Sequence, residues 1–111
     1  MEEQKTVMFD REELMDRIGN DQAIYENTVR FFKSHVTDLL AQAKTIVDSK
    51  QPEDIAAIAH TIKGVAANMS TKEMAETALA LENAGKENQI NEAIHILSQL
   101  FDQFEAVQKC F

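Results

Sequence analysis

An all-α fold is what this sequence predicts: an antiparallel up-and-down four-helix bundle with a short additional N-terminal helix. Three observations carry that expectation. Only three Gly and one Pro interrupt 111 residues. No segment shows the Val/Ile/Thr alternation between turn clusters that marks successive strands. Apolar residues recur at helical spacing in four long stretches joined by short connections. The length fits one domain, which usually takes about 100–150 residues, and a hydrophobic content of 44% suffices for one core. Residues 1–8 have no period and read as a flexible lead-in, leaving 9–111 as a single domain.

Each element has its own signals. At Phe9-Asp10-Arg11-Glu12-Glu13-Leu14 a capping box is expected, with Asp10 as the cap, Glu13 completing it and Phe9 stapled onto Leu14. The short helix that starts there runs to about Ile18, and Gly19 ends it in the left-handed conformation. Asn20-Asp21 caps the second helix. Its stripe of Ile24, Thr28, Phe31, Phe32, His35, Leu39, Ala43, Ile46 and Val47 keeps helical spacing to about Ser49. His35 reads as a buried or half-buried structural residue, and the Phe31-Phe32 and Phe101-Phe104 pairs as core aromatics. Pro52 suits the first turn of a third helix, from about Glu53 to Met69. Ser70-Thr71-Lys72-Glu73 forms a second capping box and opens a fourth helix through Met74, Ala78 and Leu81, which Gly85 terminates. Asn88 caps the last helix, whose stripe is Ile90, Ala93, Ile94, Leu97, Leu100, Phe101, Phe104 and Val107.

Charge narrows the partners. Eleven basic and 19 acidic residues give a net charge of −8, with the acids spread along the chain. This argues against nucleic acid and against direct membrane contact, because binding a phosphate surface needs a basic stripe. No apolar run approaches the roughly 20 residues of a membrane span, and Glu2-Glu3 after Met1 is unlike a signal sequence. A reducing, cytoplasmic setting is therefore expected. Cys110 is the single cysteine, so no disulfide forms within the chain, and its place suggests a frayed end. A bundle with a self-sufficient core is expected to be a monomer.

The third helix points to chemistry. At roughly 100° per residue, Ile55, Ile58, Ala59, Ile62, Val65, Ala66 and Met69 fall on one face, and His60 lies almost opposite. Its helical neighbours are Ala56, Ala57, Lys63, Gly64 and Ala67. A face with no task but to meet water would carry Glu, Lys, Gln and Arg, whereas here only Lys63 is charged and the rest are stubs. Glycine inside a helix costs roughly 1 kcal/mol relative to alanine, and Gly64, one turn from His60, leaves the ring open on that side. This is a surface that something approaches closely. A neutral imidazole is a nucleophile near pH 7, and Lys63 is placed to neutralise a phosphoryl group, which is most of what that transfer asks of a protein. The chain has no GxxxxGK[ST] loop or glycine-rich nucleotide cradle, so a donor must bring its own activated phosphate and metal.

The run Ala59-His60-Thr61-Ile62-Lys63-Gly64-Val65-Ala66-Ala67-Asn68-Met69-Ser70 resembles the signature AHxLKGxAxNxG of histidine-containing phosphotransfer (HPt) domains. Leu81-Glu82 is similar to the "LE" that the family carries on the following helix. The resemblance covers nearly the whole chain. It implies a phosphorelay carrier rather than an enzyme, without autonomous kinase or phosphatase activity and without a cofactor. His60 would take a phosphoryl group at its distal ring nitrogen from a receiver-domain aspartyl phosphate and yield it to another receiver aspartate. Lys63 would help hold the group, Gly64 would give clearance, and Asn68 and Glu82 would lend local polar support on a docking face shared with Ala56, Ala57 and Ala67. The implied partners are receiver domains of response regulators and a hybrid histidine kinase, the chain being either free-standing or part of such a membrane-anchored kinase. Ser70 departs from the family's glycine and reads here as a helix cap.

Neither a metal site nor a hydrolytic nucleophile is indicated. Glu92-Ala93-Ile94-His95 has the Glu-x-x-His spacing of di-iron bundles, but such sites need two of these motifs, and neither His35 nor His60 has a Glu three residues before it, so no metal is expected. No Ser or Cys lies in a nucleophile elbow. The rival reading is a helical binding module that docks a partner through the same Ala/Gly face and is never phosphorylated.

Overall fold

The computed structural model describes residues 7–111, whose regular structure is all helical: α1 (Arg11–Arg17), α2 (Gln22–Asp48), α3 (Pro52–Asn68), α4 (Lys72–Lys86) and α5 (Ile90–Val107), then a 3-10 turn at Gln108–Cys110. No strand occurs among the described residues. Of the lead-in expected over 1–8, residues 1–6 lie outside the described residues. Val7 and Met8 rest on the protein, the Val7 carbonyl accepting from the Glu73 N–H at 3.1 Å and the Met8 sulfur lying 3.4 Å from that of Cys110.

Helix α1 begins as its sequence requires, with the Asp10 carboxylate accepting from the Glu13 N–H at 3.0 Å. The reciprocal half of the capping box is absent. The Asp10 N–H donates to the Ser70 carbonyl at 3.0 Å, and the Glu13 carboxylate turns to Lys72 and the Ser70 hydroxyl. Gly19 (φ +73°) ends α1 as expected, with Gly19 N–H on the Asp16 carbonyl and Asn20 N–H on the Met15 carbonyl. Asp21 caps α2 through the Ile24 N–H, and Pro52 stands in the first turn of α3.

Three loop assignments are corrected. Ser70 is not the N-cap of α4: it is the left-handed residue (φ +59°) that closes α3, with its N–H on the Ala67 carbonyl and that of Thr71 on the Ala66 carbonyl. Thr71 takes the cap position, and its hydroxyl donates to the Ala66 carbonyl instead of capping α4. A non-glycine residue rarely adopts φ > 0. Here the fully buried Ser70 hydroxyl is held by Glu13 and Arg17, which ties the turn to α1. Asn88 is likewise the left-handed residue (φ +56°) after α4, and Gln89 precedes α5. Gly85 does not end α4, which runs on to Lys86. It is buried at the crossing of α4 over the start of α3, where an added Cβ would meet the Ala56 nitrogen at 2.7 Å and the Pro52 carbonyl oxygen at 2.9 Å. Its glycine answers close packing between helices, a demand local sequence does not reveal.

The helices contact one another in a ring: α2 packs on α3 and α5, α3 on α4, and α4 on α5. The core takes Phe32, Val36, Leu39, Leu40, Ala43 and Val47 from α2, and Ile55, Ile58, Ala59, Ile62 and Ala66 from α3. Met74, Ala78, Leu81 and Ala84 on α4, Ala93, Leu97, Leu100, Phe104 and Val107 on α5, and Leu14, Tyr25 and Met69 join them. Four residues placed on stripes by spacing alone are exposed instead: Ile24 and Phe31 on α2, Ile94 and Phe101 on α5. Each lies about a third of a turn from a buried neighbour (Tyr25, Phe32, Ala93, Leu100), so the true buried face is narrower than the apolar stripe. Phe31 stacks on the half-buried His35 at 5.2 Å. The C-terminal end is packed rather than frayed, since the Phe111 ring meets Phe9 and Phe32 edge-on at 4.8 and 5.7 Å.

Candidate functional site

The α3 pattern places its isoleucines inward and His60 outward, and the side chain of His60 is 67% exposed. Around it Ala57, Gly64 and Ala67 are exposed, while Ala56 and Lys63 are half-buried. Among the described residues a Cβ added at Gly64 would meet nothing within 4 Å, so no contact with them demands glycine there. Asn68 is exposed in the last turn of α3, eight residues beyond His60 and on the side of the Phe31–His35 stack.

What the α3–α4 packing adds is Glu82. Its side chain is only 8% exposed, and it brings a carboxylate beneath the imidazole. His60 Nδ1 lies 3.2 Å from Glu82 Oε2, Lys63 Nζ donates to Oε1 at 3.1 Å, and Lys86 Nζ stands 3.3 Å from Oε2. The Lys63 ammonium, foremost, holds the Glu82 carboxyl below its ordinary value; burial opposes this, and Lys86 assists. A charged carboxylate only accepts hydrogen bonds, so the ring proton sits on Nδ1. In the neutral ring this leaves the lone pair on Nε2.

Sequence reasoning named His60, Lys63, Gly64 and Glu82, and the structure brings His60 and Lys63 onto the Glu82 carboxylate. Lys86 was missed. The signal lay in its position four residues after Glu82, the spacing of an intrahelical ion pair. Glu92 and His95 are both exposed on α5, and no group of three or more His, Cys, Asp or Glu that could hold a metal occurs among the described residues. No helix among the described residues is long and apolar enough to cross a membrane.

The Glu82 cluster has a pH signature. A carboxylate whose folded pKa is depressed contributes stability that is present above its unfolded value and is lost as pH falls through the folded one. Glu13, lowered chiefly by its hydrogen bond to Lys72, behaves the same way. Melting temperature is therefore expected to fall as pH drops below about 4.5, the ordinary value for both groups. Glu82→Gln should lose less on acidification than the wild type, and an equal acid loss in the two proteins would refute the assignment.

Compared with known families, residues 28–109 match the model of the Hpt domain. The chain belongs to the Hpt domain family. This Hpt domain also matches a solved structure, the histidine-containing phosphotransfer protein B (HptB) from Pseudomonas aeruginosa PAO1. The TM-score is 0.88 at 17% sequence identity, covering 96% of this chain and 92% of that one. At that identity the likeness is one of fold. No curated protein matches this Hpt domain significantly in sequence.

Proposed function

We propose that this Hpt domain is a phosphorelay carrier that accepts a phosphoryl group on His60 Nε2 from a receiver-domain aspartyl phosphate and passes it to another receiver aspartate. The observation that carries the reading is the exposed imidazole whose Nδ1 is engaged by a charged Glu82. In the transfer the P–O bond to the donor carboxylate breaks as the P–Nε2 bond forms. Nδ1 keeps its proton, so the ring turns cationic directly against Glu82, where that charge is best stabilised. Lys63, paired with Glu82 at rest, turns to the phosphoryl oxygens as the group arrives, and Ala56, Ala57, Gly64, Ala67 and Asn68 form the surface on which the receiver docks. The ring of contacts α2–α3–α4–α5 supports the antiparallel up-and-down four-helix arrangement, with α1 against one end, and residues 9–111 as one domain. A monomer in the cytoplasm, free-standing or within a hybrid histidine kinase, fits this role.

The test is incubation with a phosphorylated receiver domain. Wild type is expected to take acid-labile, alkali-stable label and His60→Gln none; equal labelling of both, or an unlabelled wild type across several donors, would favour the binding-only module. Gly64 supplies a second check. Gly64→Ala should stabilise the isolated protein by up to about 1 kcal/mol, since a methyl group has room there. Gly64→Gln should keep the helicity yet weaken receiver binding. Undiminished affinity in that variant would refute the docking face.

A further inference from the structure

We propose that Lys86 is a positioning residue for phosphoryl transfer: it keeps the Glu82 carboxylate paired when Lys63 leaves it for the phosphoryl group on His60. The inference rests on the phosphotransfer reading above.

Its basis is how the donors divide between two oxygens. Among the described residues Lys63 alone occupies Oε1, at 3.1 Å, while His60 Nδ1 and Lys86 Nζ share Oε2, at 3.2 and 3.3 Å. Two ammonium groups on one carboxylate are one more than charge balance asks. In the resting protein Lys63 is committed to Glu82, so it is not free to meet an anion. A phosphoryl group on Nε2 places close to two negative charges beside it, and Lys63 is three residues from His60 on the same face of α3. Turning Lys63 toward that group removes a cation from a carboxylate that water barely reaches. With the ring N–H as the only remaining partner, the loss would hold Lys63 back. Lys86, one turn beyond Glu82 on α4 and 61% exposed, supplies the cation that lets Lys63 go.

Phosphoramidate tests this without a protein donor. Its P–N bond breaks and ammonia leaves, a P–N bond to His60 Nε2 forms, and Nδ1 keeps its proton. Lys86→Met is expected to slow loading of His60 about tenfold, with helicity unchanged, and Lys86→Arg to restore the rate. In a Lys63→Met background the same Lys86→Met change should alter the rate by less than about twofold, because no Lys63 remains to be released. A tenfold effect in both backgrounds would place Lys86 on the phosphoryl group itself and overturn the proposal. So would an unchanged rate in Lys86→Met, failure of arginine to restore it, or a wild type that phosphoramidate does not load. Loading by phosphoramidate with the predicted pattern, but by no phosphorylated receiver, would remove the relay reading and leave the lysine exchange standing.

Discussion

Gly85→Ala is expected to destabilise the protein by about 2 kcal/mol, although alanine is the better helix former. A Cβ at this position would stand 2.7 Å from the Ala56 nitrogen and 2.9 Å from the Pro52 carbonyl oxygen, both backbone atoms. Backbone cannot swing aside as a side chain does, so α4 would have to lift from the start of α3. That puts the cost near the top of the roughly 1–3 kcal/mol range for overpacking, and the gain of about 1 kcal/mol in helix propensity offsets only part of it. Denaturant unfolding of Gly85→Ala beside Gly64→Ala makes the comparison internal. Identical chemistry should give opposite signs, and stabilisation by both would show that α3 and α4 are not as close as described. The lift would also be felt at the site, because the same crossing sets the distance from Glu82 to His60.

Glu82→Ala is expected to slow phosphoryl acceptance by roughly tenfold to a hundredfold, the scale of effects seen when a reacting group is misplaced by about 1 Å. Without the carboxylate nothing holds the proton on Nδ1, the ring is free to rotate, and the positive charge that develops on phosphorylation loses its partner. Lys63 and Lys86 lose their common acceptor as well. Single-turnover transfer from a phosphorylated receiver measures the rate, and the nitrogen NMR shifts of His60 report the tautomer. A wild-type rate, or a tautomer mixture already present in the wild type, would count against the role given to Glu82.

How much of this was legible beforehand follows from the range of the forces involved. The inward face of α3 and the outward placement of His60 rest on the 3.6-residue period, which is local. The Asp10 and Asp21 caps, the left-handed Gly19 and the entry of α3 at Pro52 are local too, and each stands where expected. The second capping box failed because Ser70 competes for a different task. Its hydroxyl is claimed by Glu13 and Arg17 from α1, more than fifty residues away in sequence. Ile24, Phe31, Ile94 and Phe101 failed for a related reason. Spacing locates an apolar stripe, but the neighbouring helices decide how much of that stripe they cover, and these four rings and chains fall outside.

The sequence by itself determined the helical class, the order of the elements and a histidine on an outward face trimmed to small side chains, because periodicity, caps and side-chain size act within a turn or two of chain. Only the tertiary structure decided that Glu82 lies under His60, that Lys63 reaches across to the same carboxylate, and that Gly85 serves a helix crossing. Those relations join α3 to α4 across 19 to 33 residues of sequence, and distance through space between two packed helices is not written in the spacing along either one.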